Sequence, residues 1–155
     1  MGPGTGPSWR AVAILLGMGW AAALLLPVAT FGLGEGERWD GWAVLCFGWL
    51  GFMLGQFAWI ANFLFAAALI LLVRGRPPLI WGLMMGVLTS LLAAHALGFS
   101  RVYTNDGVLP VLAYGAGYYL WIGVTFLGGV ALCLASLGEA RQAVVAVREP
   151  GGSVQ

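Results

Sequence analysis

Apolar positions along this chain fall in long uncharged runs, separated by short breaks rich in charged and turn-forming residues. Four runs stand out: residues 11–33, closed by GEGERWD; a run within 41–73, closed by RGRPP; residues 79–99; and residues 117–137, before GEARQ. A helix needs about 20 mostly apolar residues to cross roughly 30 Å of hydrocarbon. The pattern predicts an all-α integral membrane fold, a four-transmembrane-helix bundle in one membrane domain covering 1–155. Its spans are expected near 11–33, 51–73, 79–99 and 117–137, with flexible ends at 1–8 and 142–155. Arg10 ahead of an apolar stretch is also how a signal peptide begins. The length of this run, with Trp20 and Pro27 inside it, favours a retained helix.

The second run is too long for one crossing. As a continuous helix, residues 42–73 would extend about 48 Å, which demands more tilt than spans normally take. The preferred solution is a short interfacial helix capped by Asp40 and reaching about Leu50, with a bend at Gly51 or Gly55 ahead of the span proper. The second connection, residues 100–119, carries Asn105, Asp106 and Gly107 between the short extended pieces RVYT and VLPV. That spacing predicts a small hairpin over the end of the bundle.

Composition agrees with the pattern: 61% of residues are hydrophobic and 8% charged, against about 45–50% and about 25% in soluble domains. All seven cationic residues are Arg, and the net charge of +1 gives no electrostatic footprint for nucleic acid. Arg10, Arg74, Arg76, Arg141 and Arg148 fall at one set of run ends, Arg38 and Arg101 at the other. Positive charge stays on the cytoplasmic side, so both termini are expected inside, in a bacterial inner (cytoplasmic) membrane. No acid or Arg lies inside an expected span, which argues against proton-coupled transport.

Candidate chemistry is sparse. Cys46 and Cys133 lie in separate apolar runs without metal or redox spacing, and His95 is the only histidine, so neither a metal site nor a cofactor is expected. Small residues recur at helical spacing at Gly51, Gly55 and Asn62, at Gly82, Gly86 and Ser90, and at Gly129. Such rows let helices approach where lipid supplies no hydrophobic force to join them. Asn62 is expected to hydrogen-bond across helices, to Thr89 or Ser90. Gln56, six positions earlier, would lie about 120° away on a regular helix, so the two carboxamides should not share a ligand. A ligand site, if present, is expected at the outer end of the bundle, drawing on Gln56, His95, Arg101, Tyr103, Asp106 and Tyr118.

Two roles follow. The first is a non-catalytic subunit or assembly partner, in contact with the lipid bilayer and with other membrane subunits or itself. The alternative is binding or transport of a small apolar or amphipathic ligand, a lipid or quinone, at the outer end of the bundle. An apolar cavity beneath residues 100–119 would favour the second, and a filled bundle with an exposed small-residue face the first.

Overall fold

The computed structural model describes residues 8–32, 36–75, 77–104 and 107–148. The first run is helical only as α1 (Trp9–Leu25). Leu26 precedes proline, which disfavours helical backbone, and it is extended at φ −100°, ψ 153°. Pro27 then opens β1 (Pro27–Phe31), which pairs with β2 (Glu37–Asp40). Helix α2 (Gly41–Phe47) follows directly, continued by a 3-10 segment over Gly48–Leu54. A further 3-10 turn, Ala58–Ile60, leads into α3 (Ala61–Arg74). Beyond Gly75, helix α4 (Leu79–His95) ends in a 3-10 turn at Ala96–Gly98. Strands β3 (Arg101–Thr104) and β4 (Gly107–Tyr114) then precede α5 (Ala116–Arg148).

The bend expected in the second run is present. Gly55 adopts φ +72°, and Gln56 N–H donates back to Gly51 O at 2.9 Å, which closes the helical segment and redirects the chain. Asp40 occupies the position before α2, but its side chain makes no capping hydrogen bond and faces Arg38 at 3.6 Å instead. A Cβ at Gly55 would meet nothing within 4 Å, so the glycine is there for its dihedral angle and not for packing. Gly55→Ala is therefore expected to cost about 1 kcal/mol through left-handed strain alone, and Gly55→Asn clearly less. Reversible unfolding of the two variants in mixed micelles checks this ordering.

The described residues are mostly helical, with five α-helices and one small sheet. The all-α expectation is thus corrected by the sheet, of which the expected hairpin is only half. Its turn residues Asn105 and Asp106 lie outside the described residues. Strand order is β2-β1-β4-β3, antiparallel throughout, with β1 and β4 joined through Ala29↔Tyr114 and Thr30↔Ala113. Backbone groups at the ends of α1 and α5 thereby find partners: Gly115 N–H donates to Val28 O at 2.8 Å, and Gly41 N–H to Leu26 O at 3.0 Å. Val28, Ala29, Phe31, Val102 and Tyr118 form the buried cluster between sheet and helix ends.

A second core lies within the bundle, where Ala13, Ala68, Leu72, Ala131, Leu132 and Ala135 are buried together. Arg10 Nε donates to Val73 O at 3.1 Å, so the start of α1 meets the end of α3. Helices α4 and α5 form the most extensive pairing, through Gly82, Gly86 and Ser90 against Gly129, Cys133 and Ser136. Two helical segments, Leu79–Gly98 and Ala116–Val145, are long and apolar enough to cross a membrane; Trp9–Leu25 and Ala58–Arg74 are apolar but shorter. Residues 142–148, expected in a flexible end, continue α5.

Candidate functional site

The bend at Gly55 shapes the most distinctive region of the molecule. Because residues 41–54 fold back beneath the sheet before α3 begins, they cannot fill the space between the strands and the helix ends. A cavity of about 110 Å³ remains. Its walls are the end of α1 at Ala23 and Leu24, the α2 and 3-10 segment from Gly41 to Gly51, Trp59, Ala96 and Phe99, the sheet at Ala29, Phe31 and Val102, and α5 at Tyr118 and Trp121. The lining is overwhelmingly apolar; Gln56, Asn62, Arg101 and Tyr103 are the polar exceptions beside Tyr118.

Four of the six expected ligand-site residues, Gln56, Arg101, Tyr103 and Tyr118, therefore border one cavity. His95 does not; its ring lies against Phe57, with centroids 6.4 Å apart. Asp106 falls outside the described residues. The expected separation of the two carboxamides is overturned. Gly55 is left-handed and residues 56 and 57 are not helical, so the 100° per residue rule does not run from Gln56 to Asn62, and both border the cavity.

Their states differ. Asn62 Oδ1 accepts from Trp20 Nε1 at 3.1 Å and from Trp121 Nε1 at 2.9 Å, while Asn62 Nδ2 donates to Trp59 O at 3.0 Å. The expected partners on α4 are engaged otherwise: Thr89 Oγ1 donates to Met85 O at 2.7 Å and Ser90 Oγ to Phe126 O at 3.1 Å. An indole was not an obvious partner from sequence, yet tryptophan N–H is donor-only and needs an acceptor when buried. Gln56 is less satisfied. Its Nε2 makes one long contact to Gly98 O, 3.5 Å, and its buried Oε1 has no hydrogen-bond partner among the described residues. Since Gly98 O can only accept, the amide nitrogen belongs on that side and the oxygen is the free end. A buried acceptor left unpaired costs about 1–3 kcal/mol.

Three further aromatic donors in the wall are spent on the protein. Trp59 Nε1 donates to Leu45 O at 2.8 Å, Trp39 Nε1 to Glu37 Oε1 at 3.1 Å and Tyr118 OH to Ala96 O at 2.7 Å. Tyr114, stacked on Tyr118 with centroids 4.5 Å apart, gives its hydroxyl to Phe99 O. Arg101 is exposed and has no ion-pair partner among the described residues.

Comparison of the chain with protein-family models, curated proteins and solved structures finds no match. The site is accordingly read from its own residues. Among the described residues no three His, Cys, Asp or Glu side chains gather into a metal-holding group. A second, larger hollow of about 260 Å³ lies along α1 and α3, lined by Trp20, Phe63, Phe65 and Leu69, and shares Leu45, Trp59 and Asn62 with the cavity. Those three residues border both spaces. Of the expected packing residues, Gly82, Gly86, Ser90 and Gly129 lie where α4 meets α5. Gly51 instead meets Gln56 of its own segment, and Gly55 meets nothing, because the stripe through them needed a regular helix that the bend interrupts.

Proposed function

We propose that this is an integral membrane protein that binds a small apolar or amphipathic molecule, of lipid or quinone class, in the cavity beneath its sheet. The observation that carries the reading is the cavity itself: apolar walls, a few polar groups, and a position between the sheet and the helix ends. A volume of about 110 Å³ is below the 150 Å³ or so of a cavity known to hold one benzene ring. The ligand therefore inserts a chain end or part of a ring, and the rest of it lies outside. The adjoining hollow along α1 and α3 gives such a molecule an approach from the side, past Trp59.

The membrane setting rests on the outer surface of the helices. Leu15, Met18, Ile80, Met84, Leu91 and Leu127 are each more than half exposed, a density of apolar side chains that water does not tolerate on a stable surface. In our reading four helical segments cross. Leu79–Gly98 and Ala116–Val145 have the length outright; Trp9–Leu25, at 17 residues, and Ala58–Arg74 sit at the short end of the spanning range of about 17–25. Arg10, Arg74 and Arg141 then mark the cytoplasmic side of a bacterial inner membrane, and the sheet faces outward. The small-residue positions Gly82, Gly86, Ser90 and Gly129 lie between α4 and α5 of the same chain, and the row through Gly51 and Gly55 is interrupted by the bend, so neither offers a face to a partner and the ligand role is better supported.

Native mass spectrometry of protein extracted in mild detergent tests the proposal. Wild type is expected to carry a reproducible lipid-class adduct. Ala96→Leu, which places a larger side chain in the cavity wall, is expected to lose it at unchanged helicity. An adduct retained at the same occupancy in Ala96→Leu, or none in wild type, refutes the cavity as the site.

A further inference from the structure

We infer that the ligand presents a hydroxyl group to Gln56, so that the cavity selects hydroxyl-bearing amphiphiles over otherwise identical molecules that can only accept hydrogen bonds. The inference rests on the ligand-binding reading above and adds the chemistry of the recognised group.

Gln56 Oε1 is a buried acceptor bordering an apolar cavity, and no described residue donates to it. The indoles of Trp39, Trp59 and Trp121 and the hydroxyl of Tyr118, all in the same wall, already donate to protein oxygens. Asn62 does not donate to it either: its Oδ1 takes two indole protons, and of its two Nδ2 protons one goes to Trp59 O and the other does not reach Gln56 Oε1. A water molecule at Gln56 needs two to four polar partners to be held, and this wall supplies few. Arg101 and Tyr103 also border the cavity, yet neither donates to Oε1. The donor is therefore left to the ligand. A carbonyl, an ether or a quinone brings only acceptors, which would face Oε1 repulsively; an alcohol or a phenol brings one O–H. Two sources share this chemistry: a lipid with a free aliphatic hydroxyl, and the reduced, phenolic form of a quinone.

Bromine-labelled probes read the site through Trp39, Trp59 and Trp121, which line it and whose fluorescence bromine quenches on contact. The aliphatic pair is 12-bromododecanol and its methyl ether; the phenolic pair is 2-bromo-4-octylphenol and its methyl ether. In wild type, at least one hydroxyl compound is expected to quench saturably with a half-saturation about tenfold below that of its ether. Which pair shows the preference distinguishes a lipid from a quinol source. Gln56→Met, near-isosteric but without an acceptor, is expected to bring that ratio below about twofold while the ether still binds. Saturable quenching by both members of each pair at equal concentration overturns the inference and leaves the cavity reading standing. No saturable quenching by any probe overturns both. The wild-type comparison stands without the variant, so a folding defect in Gln56→Met does not shelter the inference.

Discussion

Gly86→Ala is expected to destabilise the protein by about 3 kcal/mol, although alanine is the better helix former. A Cβ at Gly86 would lie 2.5 Å from Cys133 Sγ and 2.6 Å from Gly129 O. The second atom is backbone, so no rotamer change relieves the overlap and the helices have to separate. Gly129 is the reciprocal position: a Cβ there would meet Gly86 O and Ser90 N, again backbone atoms. At such an approach each helix sets Cα–H groups against the other's carbonyls, a weak attraction that depends on the absence of Cβ. Gly82→Ala should cost less, about 1–2 kcal/mol, because its obstacle is the side chain of Ser136, which can turn away at the expense of its hydrogen bond to Leu132 O. Gly123, within α5 but with nothing within 4 Å, is the control, and Gly123→Ala should be neutral to slightly stabilising. Unfolding in mixed micelles gives the order. Equal effects at Gly86 and Gly123 would show that α4 and α5 do not make this contact.

The small-residue row of Gly82, Gly86 and Ser90 was legible in the sequence, because it recurs every four residues along a helix that is regular throughout, but the helix it meets was not. The same reasoning misled at Gly51 and Gly55, where the row looked alike but the helix did not continue through it. A single dihedral angle at Gly55 separates the two cases, and residue identity alone does not report it. The sheet was half legible for a related reason. β3 and β4 are neighbours in sequence, two residues apart, and announce themselves locally, whereas β1 pairs with β4 across most of the chain, in a register that no local pattern encodes. The candidate site inherits both limits. Arg101, Tyr103 and Tyr118 could be placed together because they sit near one end of the chain's third and fourth runs. That Gln56 and Asn62 face the same space follows only from the break between them.

Asn62→Leu is expected to cost about 2–4 kcal/mol, the other large effect, through groups it leaves behind and not through lost volume. Leucine keeps the branched skeleton of asparagine and leaves no cavity, but the indole N–H groups of Trp20 and Trp121 would both lose their acceptor, and Trp59 O its donor. Interhelical hydrogen bonds measured in membranes average only about 0.6 kcal/mol, because the unfolded chain finds other partners there. Here one side chain serves α1, the turn before α3, and α5 at once, so the losses are correlated and the sum exceeds a single bond. Trp121→Phe alone should cost about 1 kcal/mol. In the Asn62→Leu background it should cost clearly less, since the orphaned donor is then removed, and a double-mutant cycle reads that difference as a coupling. Additive effects would mean that the indole contact contributes nothing. Asn62→Asp is no rescue: a carboxylate accepts both indole protons but sets an oxygen against Trp59 O and buries a charge. Asn62 variants that remain folded should keep the preference for hydroxyl probes, because both lone pairs of Oδ1 are already used within the protein. Gln56→Met should do the reverse, changing probe selection with little loss of stability, since its oxygen has no protein bond to lose. Two carboxamides on one cavity thus separate by a pair of measurements: one is expected to hold the helices together, and the other, on the proposed reading, to meet the ligand.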